Sequence, residues 1–156
     1  MSYSFAFTLH LIAAVIWVGG MFFAHMILRP SAVEKLAPPQ RLPLWAAVFG
    51  RFFFWVWISV AAILVTGYWM MFFWLGFDLA MQMKHVAIMH ITGLVMAVIY
   101  IFIFFGPYQK FKSAVDAQQF PVAGEQINTI RQLVTTNLIL GLITIVIASG
   151  GKYINL

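Results

Sequence analysis

The sequence has no cysteine and little charge: nine Lys/Arg and four Asp/Glu in 156 residues, or 8%. The lack of cysteine excludes disulfides, thiolate metal ligands and cysteine nucleophiles. The scarcity of charge removes the material for a soluble surface, since a soluble domain usually carries about 25% charged residues. A chain of this size that is 63% hydrophobic cannot hide its apolar surface from water, so a water-soluble monomer is excluded. A Gly-rich phosphate loop, a nucleophile triad and a nucleic-acid-binding motif are also missing. The net charge of +5 is therefore not read as a nucleic-acid footprint. Its basic residues sit between apolar runs, where they set topology.

Four long apolar runs make up most of the chain, at residues 3–28, 44–74, 79–105 and 127–149. Each reaches the roughly 20 residues that cross a bilayer core. The first run has no basic segment before it and outlasts the apolar core of a signal peptide, so it is expected to remain as a helix. Arg29-Pro30 and Gly106-Pro107 are expected to end the first and third spans, and Pro43 to open the second. The expected architecture is all-α: one domain over residues 1–156, an integral membrane four-helix transmembrane bundle wound up-down-up-down.

The charges orient it. Arg29, Lys35, Arg41, Arg51, Lys110, Lys112 and Arg131 fall on one side of such a bundle, and only Lys84 and Lys152 on the other. Basic loops stay in the cytoplasm. Loops 1–2 and 3–4 are therefore expected to be cytoplasmic and both termini outside, which in a bacterium means periplasmic.

Polar side chains are costly within a membrane, so each is a functional candidate. His10 lies about seven residues into the first span, and His85 and His90 about six and eleven residues into the third, all counted from the outer side. The three share roughly one depth. His25 lies about 22 Å further along the first helix. On the third helix, His85, Met89, Thr92 and Met96 form one stripe, and Met83, His90 and Ala97 another. One of these two histidines would face the first helix and the other would not.

Two ligands suit this pattern. Imidazoles from two bundle helices at equal depth can hold a b-type haem from both faces. His10 would be one axial ligand and His85 or His90 the second, with Trp17, Phe22, Phe53 and Trp57 as pocket walls. Lys84, or Arg51 or Arg29 for a haem nearer the cytoplasm, would pair a propionate. The second ligand is copper, because thioethers and imidazoles suit Cu(I). Met81 and Met83 precede His85 and His90 at the outer entrance to the third span, near Met70 and Met71. The plain alternative is packing: methionine commonly fills gaps between helices, and a membrane histidine can simply bond to a neighbouring helix. Arg51, Arg131 and His25 are expected in the cytoplasmic half, either reaching the interface or forming a second polar site for a quinone or a carboxylate.

Several segments carry a family resemblance. These are Leu9-His10, Trp17-Val18-Gly19-Gly20-Met21-Phe22 and Leu28-Arg29-Pro30 in the first span. In the second they are Phe49-Gly50-Arg51-Phe52-Phe53, Trp55, Trp57 and Thr66-Gly67-Tyr68-Trp69-Met70. Lys84, Ile130-Arg131-Gln132-Leu133-Val134, Asn137-Leu138 and Gly141 complete the set. Together they resemble the copper resistance D (CopD) family, which implies a bacterial inner-membrane protein associated with copper uptake. The His10–Trp17–Gly20 spacing and Lys84 also resemble the HemJ-type protoporphyrinogen oxidases, which implies haem b on His10 and a role for Lys84. The chain departs from that group in carrying Arg131-Gln132-Leu133 where those proteins have Arg-x-Phe-Asn-Glu-x-Pro, and in its additional His25 and His90.

The expected function is that of a haem b membrane protein in electron transfer, a membrane oxidoreductase linked to a quinone or a periplasmic redox partner. The alternatives are a copper permease served by a periplasmic copper partner, and an accessory subunit of a membrane complex. The bilayer is the one partner every reading shares, and each admits a homo-oligomer.

Overall fold

The computed structural model describes residues 1–151; Lys152, one of the two basic residues expected on the outer side, lies outside the described residues. Four helices are long and apolar enough to cross a membrane: Tyr3–Lys35, Pro38–Leu75, Lys84–Asp116 and Phe120–Gly150. A short helix, Phe77–Gln82, links the second to the third. The fold is all-α, with no strand among the described residues.

All four helices outrun the apolar spans at the basic end. The third begins only at Lys84, inside its expected span, and Pro43 lies within the second helix, which opens at Pro38 instead. The prolines explain the extensions. Proline lacks an N–H and is well tolerated in a first helical turn, where that group would be unpaired anyway. At Arg29-Pro30 the expected stop does not occur. The residues Phe23–Leu28 form a π-turn, Arg29 N–H returns to the Ala24 carbonyl, and Pro30 sits in the first turn of a continuing helix. At Gly106 the backbone bends (φ −99, ψ −102) and Pro107 restarts the helix through to Asp116. Pro121 does the same for the fourth helix, which begins at Phe120.

Contacts at the helix ends fix the winding. Tyr3 stacks on Trp74, with ring centroids 5.1 Å apart, and His85 lies beside Gly151. The N-terminus, the turn between the second and third helices and the end of the fourth helix therefore share one end of the bundle, here the terminal end. Arg29, Arg41 and Arg131 meet around one cavity at the other, basic end. The turn at the terminal end passes through Gly76 at φ +78, a backbone state that favours glycine.

The first helix packs chiefly on the second and the third on the fourth, with the first also touching the fourth. Small residues allow close approach. A Cβ on Gly141 would stand 2.9 Å from Val18 and 3.1 Å from Met96, and one on Gly20 would overlap the Phe52 ring. Aromatics fill the core towards the basic end: Trp45, Phe49, Phe53, Tyr100, Tyr108 and Phe111. The Tyr100 hydroxyl donates to the Phe53 carbonyl at 2.9 Å, and Asn137 Nδ2 donates to the Met96 carbonyl at 3.3 Å.

Candidate functional site

The histidines settle against different helices. His10 faces the second helix, with its Nδ1 2.9 Å from Thr66 Oγ1. The Thr66 hydroxyl has one proton, and the Ala62 carbonyl at 2.5 Å is the nearest backbone acceptor for it, with the Ile63 carbonyl at 3.4 Å. Thr66 Oγ1 therefore accepts from His10, whose Nδ1 carries the hydrogen and whose Nε2 keeps a lone pair. Gly67 makes room for the ring, since a Cβ there would lie 3.3 Å from His10 Cε1. This arrangement fixes ring orientation and tautomer as an outer partner does for a ligating histidine.

His90 lies edge-on to Tyr68, also of the second helix, at a centroid distance of 5.3 Å. His10 and His90 thus border the same three-residue stretch, Thr66–Tyr68, and so share one depth. His85 instead faces the end of the fourth helix at Gly151. Its stripe continues through Thr92, which accepts from Thr144 at 2.8 Å, to Met96 under Asn137. The two third-helix stripes thus face the fourth and second helices, where one of them was expected to face the first.

Sequence spacing alone does not single out Thr66 and Tyr68 as partners. A threonine before glycine opposite a membrane histidine is the available signal, and the helix pairing is needed to read it.

The walls assigned to a haem are differently placed. Trp17 and Phe53 are each only 3% exposed, but Phe22 is 44% exposed and faces away from the core. Tyr100 occupies the space between the remaining three. Its ring meets Trp17 at 6.3 Å, Phe53 at 5.7 Å and Trp57 at 5.2 Å. Arg51, expected among the buried charges, is exposed. Phe49 and Phe53 turn inward, which points the residue between them outward. Lys84 opens the third helix with its side chain exposed.

Met70, Met71, Met81 and Met83 lie at the terminal end, where the helices are irregular. Met71 is buried at the start of a π-turn, Met71–Leu75. Met81 lies near the end of the short helix, half-buried, and Met83 is extended (φ −77, ψ 105), breaking the helix just before Lys84 and His85. Among the described residues, no three His, Cys, Asp or Glu side chains come together as a metal site. The thioether sulfurs and imidazoles at this end are a soft donor set, suited to Cu(I) and poorly suited to Mg²⁺ or Ca²⁺.

His25 is at the other end. It projects from the π-turn, with its Nδ1 3.4 Å from Thr135 Oγ1. Arg131 donates to Asn128 Oδ1. His25 and Arg131 line a cavity of about 310 Å³ together with Arg29 and Arg41, a grouping that loop position alone does not reveal.

No curated protein matches the chain. No solved structure matches it either. The family model of CopD, copper resistance protein D, matches residues 46–150, from the second helix to the end of the fourth. That stretch covers two thirds of the sequence, and the chain belongs to the CopD family.

Proposed function

We propose that this multi-pass membrane protein moves copper across the bilayer, with Cu(I) as its cargo and Met81, Met83, His85 and His90 as the entry site. The observation that carries the reading is the placement of these four residues. All lie inside the family-matched stretch: Met81, Met83 and His85 at a helix break at one membrane end, and His90 further along the third helix on its side towards the second. Transporters commonly place substrate sites at broken helices, where freed backbone groups line a cavity. Two thioethers and two imidazoles suit Cu(I). His10, at the depth of His90, adds an imidazole from the first helix at the inner edge of this site. The terminal end faces outward in this reading, the periplasm of a bacterium, where a copper-carrying partner would dock.

The test is stoichiometric Cu(I) binding by the purified protein, followed by Cu(I) uptake into vesicles. Met81→Leu/Met83→Leu should weaken binding by at least roughly tenfold while leaving helical content intact. Unchanged affinity in that double variant sinks the entry site.

The second reading is haem b held by His10 and by His90 or His85, serving electron transfer to a quinone or periplasmic partner. The shared depth of His10 and His90 favours it. A Soret band and a reduced α-band that disappear in His10→Ala would establish this reading over the copper one. A colourless protein that binds neither haem nor Cu(I) would leave an accessory role in a membrane complex.

A further inference from the structure

The cavity at the basic end lies between the start of the second helix, the start of the fourth and the π-turn of the first. Three arginines, Arg29, Arg41 and Arg131, line it along with His25 and Asn128, whose amide oxygen accepts from Arg131, and among the described residues no carboxylate does. All three arginines are half-buried. Among the described residues none has a carboxylate within ion-pair distance, and the nearby Glu34 is held by Lys35 at 2.6 Å. Three like charges around one partly desolvated space repel each other, and this repulsion is stronger than it would be in water. A bound anion relieves it. The rest of the wall is largely apolar, including Trp45, Phe49 and Val134. A small hydrophilic anion would gain nothing from that surface, whereas an anion attached to hydrocarbon would bury its tail against it.

We infer that this cavity binds the phosphate of an acidic phospholipid, with Arg29, Arg41 and Arg131 as its ligands and the apolar wall against the first carbons of its chains. Arginine matches phosphate oxygens with paired, directed N–H donors. Basic pockets between transmembrane helices hold anionic lipid head groups in this way. His25 lies in the π-turn of the first helix and Arg29 caps it, so both reach the cavity from this one irregular turn. The site is at the opposite end of the bundle from the methionines and does not depend on the copper reading.

The experiment is native mass spectrometry of the delipidated full chain in detergent, titrated separately with phosphatidylglycerol, phosphatidylcholine and inorganic phosphate. We expect phosphatidylglycerol to bind at least tenfold more tightly than phosphatidylcholine. Arg29→Gln/Arg131→Gln should lower its affinity roughly twenty-five-fold, about fivefold per arginine. Arg29→Lys/Arg131→Lys, which keeps the charge, should recover part of this loss and guards against misfolding of the first variant. Lys110→Gln/Lys112→Gln, which removes two exposed charges at the same end but outside the cavity, should leave it unchanged. Equal losses in the lysine and arginine variants would overturn the inference, since binding would then follow general surface charge. Inorganic phosphate binding as tightly as the lipid would overturn it too, by assigning the cavity to a free anion.

Discussion

His10 and Thr66 are joined across the first and second helices by a hydrogen bond at 2.9 Å, in which the histidine is the donor when the threonine proton lies on the Ala62 carbonyl 2.5 Å away. A polar ring that would be costly in lipid thereby gains a partner, a fixed tautomer and an open Nε2. Replacing Thr66 with valine keeps the shape but removes the acceptor. We expect a loss of about 1 kcal/mol in denaturant unfolding, in the usual range for such a bond, while Thr66→Ser should be milder. If His10 also passes copper inward, Thr66→Val should slow Cu(I) uptake while leaving entry-site affinity unchanged.

Two glycines should respond in opposite ways to the same substitution. Gly141→Ala pushes a methyl towards Val18 and Met96 and should cost about 1–3 kcal/mol. At Gly93 an added methyl would meet nothing within 4 Å among the described residues, so Gly93→Ala should be neutral or stabilising by about 0.5–1 kcal/mol. Thermal unfolding in one detergent compares them directly, and equal shifts would contradict the packing described.

Tyr100→Phe removes one hydrogen bond, to the Phe53 carbonyl, and keeps the ring among Trp17, Phe53 and Trp57. The expected cost is about 1 kcal/mol. Tyr100→Ala opens a cavity as well and should cost about 3–5 kcal/mol. A similar loss in both variants would mean that the ring contributes little packing.

Orientation can be measured with reporters. A cytoplasm-active reporter in the segment between Asp116 and Phe120 should be active and a periplasm-active one silent. A reporter following Gly151 should give the reverse pattern, as basic loops on the cytoplasmic side require.

Hydropathy made the four spans legible, since the runs were too long and too poorly charged for any other reading. The helix ends were not legible for a physical reason. Proline is equally compatible with a helix ending before it and one beginning at it, and at Pro30, Pro107 and Pro121 the chain takes the second course. Histidine depth was readable because rise per residue is constant: His10 and His90 do meet the same stretch of the second helix. Which neighbour each faces was not readable, because that depends on how the helices are arranged around the bundle. Arg51 shows the same limit. Its depth followed from position, but its outward direction followed from the aromatics on either side turning in.

The polar bonds between helices divide according to when their partners become available. His10–Thr66 lies wholly within the first two helices, and Thr144–Thr92 and Asn137–Met96 wholly within the last two. Tyr100–Phe53 and Thr135–His25 cross between the two pairs. Each hairpin thus carries polar bonds between its own two helices, while the Tyr100 hydroxyl and the His25–Thr135 pair need both hairpins. A break in the turn at Gly76 would therefore leave each piece with its internal bonds and take only the cross bonds out of one continuous chain.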